Sequence, residues 1–394
     1  MTIPLWIVVF CAGWMLFVLA GYPVWLAVRA RFFGRPPRPG PNEPTITAII
    51  PVHNGDHFIA AKLDSLLNSD YPPEKLTILV LSDASNDRTD AIAEAYARRF
   101  PDRVRARRLP RGGKAAAINA ALPEASADVL LFTDVRQRLE PKCIRSLAEL
   151  LHDPQVGVVS GNLKIHSGKS SEEANVGLYW KYESWIRNNL GRADSLMGAT
   201  GPIYAIRRKL VKSLPGGCIL DDVWLPMQAV LAGYRSVLDE NAIAWDYPTT
   251  LDAEFRRKVR TQAGLYQLTW QLPGLFSLRN RLLLPFLCLK LGRLVLPEIL
   301  IIFFLASLFL PPAVRWPALA GQFVFYALAV FDRWIPDANV IKRATAPVRA
   351  FVVLLTAALF AASVFFVAPE KLWKHTQVRM PLPDESATQP GAPS

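Results

Sequence analysis

The sequence predicts an α/β domain with a mainly parallel sheet, placed between membrane segments at both ends of the chain. Two observations lead to this prediction. Between residues 45 and 274, short apolar runs with strand character alternate with helical patterns, an order typical of a parallel sheet with helices on both faces. Residues 1–28 and several stretches after residue 274 are mostly apolar, and a bilayer requires ~20 such residues in a helix.

Composition and charge favour a membrane surface over nucleic acid as the partner. The 394 residues are 51% hydrophobic, with a mean hydropathy of +0.19 and a net charge of +12. Much of the positive charge lies beside apolar stretches, as at Arg29, Arg31, Arg279 and Arg281, where it suits an anionic lipid surface. No zinc-finger spacing or RNA-recognition motif accompanies it, so we expect no nucleic-acid partner. The four cysteines form no CxxC pair, which predicts buried thiols.

The first segment has the features of an uncleaved membrane anchor. Residues 1–28 contain no charged side chain, and arginines follow the segment instead of preceding it, unlike the order in a signal peptide. The positive-inside rule then places the following domain in the cytoplasm, and we expect the bacterial cytoplasmic (inner) membrane. Residues 29–44 form a basic, proline-rich linker, which should be stiff.

The elements of the α/β domain, residues 45–274, follow from periodicity. Polar clusters stand at the ends of three predicted strands, namely His53-Asn54, Ser82-Asp83 and Thr133-Asp134. Ligands of such sheets bind beyond the carboxyl ends of the strands, so we expect the site there. Strands are predicted at 46–51, 76–81, 104–109, 128–133, 156–160 and 235–238, and helices at 57–67, 87–100, 114–122, 174–190 and 222–232.

The composition becomes apolar again after residue 274. Residues 275–293 mix large apolar side chains with cations, which predicts an amphipathic helix in the membrane interface. Residues 294–368 hold two to three spans, with candidates at 294–310, 318–330 and 348–367, and a polar tail predicted to be disordered covers 369–394. Three late spans would place this tail outside, although its basic residues favour the inside. One late segment is therefore expected to be re-entrant or interfacial.

The polar residues at the strand ends have chemical interpretations and simpler alternatives. Asp83 suits binding of a base or ribose, but its Ser- and Asn-rich turn also suits helix capping. In Arg111-Gly112-Gly113-Lys114, the glycines permit close approach to a phosphate and the lysine supplies charge, although an ordinary loop has the same composition. Asp134 ends a buried apolar strand and suits a metal ligand, or it is a solvated turn acid.

Two later clusters also have alternatives. Asp221-Asp222 precedes a helix; mutual repulsion raises the pKa of one such acid, and a helix start lowers it. One of them is therefore either a general base or a helix cap. The basic run Arg256–Arg260 is either a solvated or membrane-facing surface or a group that neutralises a diphosphate.

The order and spacing of these motifs resemble family 2 glycosyltransferases, which have the GT-A fold. The resemblance covers residues 45–264, and the membrane segments around it resemble those of the subgroup with cellulose, chitin and hyaluronan synthases. The matching elements are Ile49–Asn54, Ser82–Asp87, Gly113–Asn119 (GKxxALN), Phe132–Asp134 (the DxD strand), Gly201–Arg208 and Leu220–Asp222.

The resemblance implies an inverting hexosyltransferase that uses a nucleotide-sugar donor, most often a UDP-sugar in this family. Asp222 would be the general base and Asp134 the ligand of Mg²⁺ or Mn²⁺. The other implied site residues are Pro51, His53, Asn54, Asp83, Lys114 and Arg136 on the donor side, and Gly201, Asp221, Arg257 and Arg260 on the side of the acceptor or diphosphate.

The sequence departs from the family pattern at two positions. Arg136 replaces the second aspartate of DxD, so a metal would depend on Asp134 and phosphate oxygens, or Arg136 would partly replace the metal's charge. Thr261 stands where processive synthases have the tryptophan of QxxRW, which weakens the prediction of long-polymer synthesis.

The predicted activity is transfer to a lipid-linked or glycan acceptor in cell-surface polysaccharide or glycolipid synthesis. Three alternatives stay open: a processive polysaccharide synthase, a ceramide-type glucosyltransferase, and an inactive scaffold in a membrane polysaccharide assembly complex.

Overall fold

A computed structural model describes residues 3–165, 171–247, 251–336 and 339–365. Its centre is an eight-stranded sheet with the order β3-β2-β1-β4-β7-β6-β8-β5. The strands are β1 (Ile46–Val52), β2 (Leu76–Asp83), β3 (Val104–Leu109), β4 (Val129–Phe132), β5 (Arg138–Leu139), β6 (Val156–Ile165), β7 (Tyr204–Arg207) and β8 (Arg235–Asp246).

The sheet confirms the predicted parallel arrangement for its first half and is mixed in its second half. Strands β3, β2, β1 and β4 are parallel to one another. β7 runs antiparallel to β4 and β6, and β5 runs antiparallel to β8, whereas β6 and β8 are parallel. The six predicted strands are present, but β5 and β7, which have two and four residues, were not predicted.

Helices cover both faces of the sheet, as predicted. After α1 (Ile3–Leu16) and α2 (Tyr22–Phe33), which precede the sheet, these helices are α3 (Asp56–Leu67), α4 (Thr89–Arg99), α5 (Gly113–Ala121), α6 (Cys143–Leu150), α7 (Ser171–Ala193), α8 (Asp221–Leu231) and α9 (Leu251–Gln271). Neighbouring residues of β1 belong to separate apolar clusters: Ile49 packs with α5, α7, α8 and α9, and Ile50 packs with α3, α4 and α6. Both side chains are fully buried, which is typical of a central strand in a doubly covered sheet.

Within the described residues, three helices are long and apolar enough to cross a membrane, by length and composition: Ile3–Phe33, Pro312–Trp334 and Ala344–Phe365. The candidate span predicted at 294–310 forms a helix of only 12 residues, Leu296–Ser307. At 1.5 Å per residue it is ~18 Å long, which is less than the ~30 Å hydrocarbon core. The predicted tail, 369–394, and the end of the last predicted span lie outside the described residues.

The segment predicted as one amphipathic helix, 275–293, is broken into short turns, and regular helical backbone begins only at Leu283. Asn280 interrupts it, because its side chain donates to the carbonyl of Leu275 (2.8 Å) and accepts from the amide of Leu282 (3.0 Å). Such side-chain bonds compete with helical ones. Leu275, Leu282 and Phe286 are buried in the same cluster as Ile49, so the segment packs on the domain. Its place in a membrane interface stays a prediction.

The apolar end helices pack against α7 and α9. In the first helix, Tyr22 and Leu26 are buried against α7, and the hydroxyl of Tyr182 in α7 donates to the carbonyl of Leu19 (2.6 Å). At the other end of the chain, Phe255 of α9 lies edge-on to Phe360, with ring centroids 6.0 Å apart. The candidate membrane helices therefore position the two long helices that border the site.

Candidate active site

The site is built around the ammonium group of Lys114, at the carboxyl edge of the sheet. Lys114 lies in the first turn of α5, behind the loop Arg111–Gly113. Its Nζ lies 3.0 Å from Oδ1 of Asp134, which follows β4, and 3.2 Å from Oδ2 of Asp221, which begins α8. Groups from three separate parts of the sequence therefore meet at one cation, as expected for the edge where strands of such a sheet end.

The charges in this cluster stabilise one another. Burial opposes the charge of Lys114, but Asp134, Asp221 and Asp222 hold its pKa above the usual value. Burial likewise opposes the charge of Asp134, but Lys114, Lys62 and Arg136 hold its pKa below the usual value. Asp134 and Lys114 are therefore an ion pair at neutral pH.

The pKa of Asp222 is shifted in the opposite direction from that of Asp134. Burial and the adjacent Asp221 raise its pKa to about 6, against the opposing effects of Lys114 and Arg260. A carboxylate with a pKa near the working pH is suited to accept a proton. Its role as general base, predicted from the sequence, has this physical support.

Gly201 leaves the space that the Asp222 side chain needs. A Cβ atom built on Gly201 would lie 2.9 Å from Oδ2 of Asp222, which is closer than ordinary van der Waals contact. The backbone carbonyl of Asp222 also accepts from the amide of Ala199 (2.6 Å). The loop before β7 therefore approaches the start of α8 closely, and Gly201 lies on the predicted acceptor side.

Asp83 holds the glycine loop that leads to Lys114. Its carboxylate accepts from the amides of Gly112 (2.7 Å) and Gly113 (3.0 Å) and from the guanidinium of Arg111 (2.8 Å). The capping role falls to Asp87, whose carboxylate accepts from the amide of Thr89 (2.9 Å) at the start of α4. The two acids of this turn therefore have separate tasks, and donor binding by Asp83 stays a prediction.

The loops after β1 and β2 are joined at the same edge. His53 Nδ1 lies 2.8 Å from the carbonyl oxygen of Asp83, and the side chain of Asn54 accepts from the amide of Asn86 (2.9 Å). Asn54 has φ of 51°, a left-handed conformation that asparagine tolerates better than most residues. Pro51 precedes them in β1. These three predicted donor-side residues thus lie at the edge that Asp83 occupies.

Arg136 faces a carboxylate that the sequence did not reveal. Its guanidinium donates to Oδ2 of Asp246 (2.6 Å), at the end of β8, and the same oxygen accepts from the side chain of Gln137 (2.9 Å). A buried partner therefore already balances the charge of Arg136. This arrangement does not favour Arg136 as a replacement for a metal ion.

Arg257 and Arg260, in the basic run of α9, have different neighbours. Arg257 donates to Glu254 one turn earlier (2.7 Å). Burial lowers the pKa of Arg260, whereas Asp222 and Asp134 oppose that shift through their charges, so Arg260 lies within electrostatic reach of both acids. Arg260 thus contributes positive charge to the site.

Two cations that the sequence interpretation missed also belong to the site. Lys62 of α3 is fully buried behind Asp134, where its Nζ donates to the Thr133 hydroxyl and to the carbonyl of Gln137 (2.7 Å). Lys62 lies on the apolar stripe of α3, between Ile59 and Leu66. A lysine at a position of such a stripe is the feature of the sequence that could have indicated a buried cation. Arg187 of α7 donates to the Ser160 hydroxyl (2.6 Å), and Asp222 lies within electrostatic reach. The sequence alone does not show that Arg187 lies near Asp222, because that proximity depends on how α7 packs in the fold.

Comparisons with known proteins agree with the predicted family. The model of glycosyl transferase family 2 matches residues 47–214. The probable glycosyltransferase YdaM of Bacillus subtilis is 26% identical over 232 residues, which are 56% of this chain and 55% of that protein. An N-acetylglucosaminyltransferase of Rhizobium leguminosarum bv. viciae is 28% identical over 275 residues, which are 64% of this chain and 63% of that protein. The chain thus spans about half to two thirds of these relatives.

A solved structure shows the same fold. The mannosyltransferase PcManGT of Pyrobaculum calidifontis, in complex with GDP-Man and Mn²⁺, has a TM-score of 0.65 and 20% sequence identity. The match covers 90% of this chain and 99% of that one. The predicted GT-A fold with flanking apolar helices is thereby confirmed.

The buried lysine behind the site gives a pH-dependent test. Burial lowers the pKa of Lys62 from 10.5 to about 7 in the folded chain. Between these values the unfolded chain binds the proton and the folded chain does not, so stability rises with pH. We expect the melting temperature of the wild type, relative to Lys62→Met, to increase from pH 7 to pH 10. The exposed Lys142→Met is the control, and parallel pH curves for wild type and Lys62→Met would contradict the burial.

Proposed function

We propose that this chain, a family 2 glycosyltransferase, transfers a sugar with inversion from a nucleotide-sugar donor to a lipid-linked or glycan acceptor at a membrane. The observation that carries the proposal is the half-buried Asp222, whose pKa is raised to about 6 beside a cluster of cations. The N-acetylglucosaminyltransferase relative supports transfer of an N-acetylglucosaminyl group, and a UDP-sugar is the donor that the family resemblance implies.

The proposed reaction is a single displacement. Asp222 accepts the proton of an acceptor hydroxyl while the hydroxyl oxygen attacks the anomeric carbon. The bond from that carbon to the diphosphate breaks, and attack from the opposite side inverts the configuration. Lys114 and Arg260 are the cations near this point, and they stabilise the negative charge that develops on the leaving diphosphate.

The described residues of the site could bind a divalent cation through one side chain of the protein, that of Asp134. Among the described residues, no group of three or more acidic, histidine or cysteine side chains is arranged to hold a metal. Mg²⁺ is commonly bound by one or two carboxylates together with substrate phosphates, and the Asp134 carboxylate is more than one-third exposed. Asp134 would therefore hold Mg²⁺ or Mn²⁺, and the bound ion would supply positive charge against the leaving diphosphate. The Mn²⁺ in the mannosyltransferase complex supports this proposal.

The candidate spans support a consistent membrane arrangement. With one span before the domain and two after it, the domain and the chain after residue 365 lie on the same side. The basic residues after the first span and in the tail both favour the cytoplasmic side. We therefore propose a cytoplasmic catalytic domain at the inner membrane, with Leu296–Ser307 as the segment that does not cross.

Replacement of the proposed base should stop transfer without weakening donor binding. We expect Asp222→Asn to lower turnover by about 10²–10⁴-fold, the range for general-base catalysis, because asparagine accepts no proton. The measurement is nucleoside-diphosphate release by the detergent-solubilised chain with UDP-, GDP- and dTDP-sugars and bacterial lipid extract. In the wild type, kcat/KM should fall about tenfold per pH unit below about 6 as Asp222 becomes protonated. Unchanged turnover in the variant would contradict the assignment.

Alanine substitutions at two glycines test whether the position of the Asp222 carboxylate matters for activity. In Gly201→Ala the new methyl group displaces the Asp222 carboxylate, since its Cβ would lie 2.9 Å from Oδ2. We expect kcat to fall by roughly 10²-fold, as for a displacement of about 1 Å. Gly216→Ala is the control, because nothing lies within 4 Å of its added Cβ. Equal activity of the two variants would show that the Asp222 position does not matter.

Metal dependence is tested by chelation. We expect EDTA to lower turnover at least about tenfold and Mn²⁺ or Mg²⁺ to restore it, because the leaving diphosphate loses a counter-charge. In Asp134→Asn, donor affinity should no longer respond to added Mn²⁺. Full turnover in EDTA would refute the proposed metal and assign charge neutralisation to the protein cations alone.

A further inference from the structure

The loop beside the proposed base is held by hydrogen bonds on both sides of Gly201. A Cβ atom on Gly201 would meet the Asp222 carboxylate, and the amide of Ala199 donates to the Asp222 carbonyl (2.6 Å). The backbone of a glycine has more allowed conformations than that of any other residue, so these contacts alone do not fix the loop. The neighbouring Thr200 and Pro202 make the hydrogen bonds that restrain it.

The hydrogen bond that follows Gly201 leads to a buried lysine. The carbonyl of Pro202 accepts from the hydroxyl of Thr133 (2.8 Å). That hydroxyl accepts from Nζ of Lys62, which is fully buried and also donates to the carbonyl of Gln137 (2.7 Å). An amino group has two N–H bonds even when it is neutral, so Lys62 can hold both partners in either protonation state.

The hydrogen bond that precedes Gly201 leads to an arginine. The hydroxyl of Ser160, in β6, accepts from the amide of Thr200 (2.8 Å) and from Nη2 of Arg187 (2.6 Å). The Ser160 side chain is fully buried. A hydrogen bond from a charged donor is stronger than one from a neutral donor, so Arg187 fixes the hydroxyl to which Thr200 is bonded.

The lysine and the arginine come from opposite faces of the sheet. Lys62 belongs to α3, which packs on the face that holds Ile50. Arg187 belongs to α7, which packs on the face that holds Ile49. The loop is therefore held from both sides, and loss of either residue would free one flank of Gly201.

We propose that Lys62 and Arg187 are positioning residues for the base, because together they hold the loop 199–202 against it. Lys62 acts through the Thr133 hydroxyl, and Arg187 acts through the Ser160 hydroxyl. The inference rests on the proposed function and deepens it, since it adds two residues that determine where the base lies.

The test measures hydrogen–deuterium exchange of the peptide with residues 199–204 in the full, detergent-solubilised chain. Lys62→Met and Arg187→Met should each raise the exchange rate of its amides about tenfold, because each removes a bond that keeps the loop closed. Thr133→Val and Ser160→Ala should have the same effect, since they remove the hydroxyls through which the two residues act.

Turnover in the nucleoside-diphosphate release assay is the second measurement. We expect kcat to fall about tenfold in Thr133→Val and in Ser160→Ala, because the base is displaced. Nucleotide-sugar affinity in Ser160→Ala should stay within about twofold of the wild type, as for an interaction that acts on the chemical step. Adding Lys62→Met to Thr133→Val, or Arg187→Met to Ser160→Ala, should cause no further loss, since both members of each pair act through one bond.

Thr47→Val and Ser236→Ala are the controls for loss of a hydroxyl. Both side chains are buried in other strands, β1 and β8. We expect exchange of residues 199–204 and turnover in both variants to equal those of the wild type.

Unchanged exchange of residues 199–204 in Lys62→Met and Arg187→Met would overturn the inference. Faster exchange throughout the chain would also overturn it, because that result assigns the two residues to general stability. Additive losses of kcat in the double variants would show that each residue and its hydroxyl act separately. Exchange does not depend on sugar transfer, so a wild type without turnover or donor binding would refute the proposed function, while exchange alone would still decide whether the loop is held.

Discussion

The arrangement of the site depends on one half-buried cation, Lys114, shared among carboxylates from separate parts of the chain. Asp134 and Asp221 lie within 3.2 Å of its ammonium group, and Asp222 adds its charge. Without that cation, the adjacent acids would repel one another in a poorly solvated space, and some would become protonated. The ion pairs therefore fix α5, the end of β4 and the start of α8 relative to one another, at the edge where a ligand enters.

The same cluster gives two acids opposite properties. Asp134 is held charged by the cations around it, whereas burial and the neighbouring Asp221 make Asp222 readily protonated. Pairs of acids whose environments separate their pKa values commonly have different chemical roles. Here the charged acid suits a cation with a phosphate ligand, and the acid of raised pKa suits proton transfer. Gly201 adds a steric condition, because only a residue without a side chain leaves Asp222 in place.

The apolar end helices also contribute to the site. α7 packs on the first helix and α9 packs on the last, and these two domain helices carry Arg187 and Arg260, which lie within electrostatic reach of Asp222. Removal of the end helices would expose the apolar faces of α7 and α9 and release the positions of both arginines. The apolar end helices are therefore part of the site's architecture.

The sequence by itself determined six of the eight strands, the helices other than α6 and α9 on the faces of the sheet, the apolar end segments and the edge at which the polar clusters lie. These features depend on local periodicity and on polar residues after apolar runs, which neighbouring residues reveal. Only the tertiary structure decided that Arg136 pairs with Asp246, that Lys62 lies buried behind Asp134, and that Asn280 interrupts the helix predicted at 275–293. Pairings such as Arg136–Asp246 join residues far apart in the chain, and burial depends on which elements pack together. Spacing along one sequence contains neither kind of information.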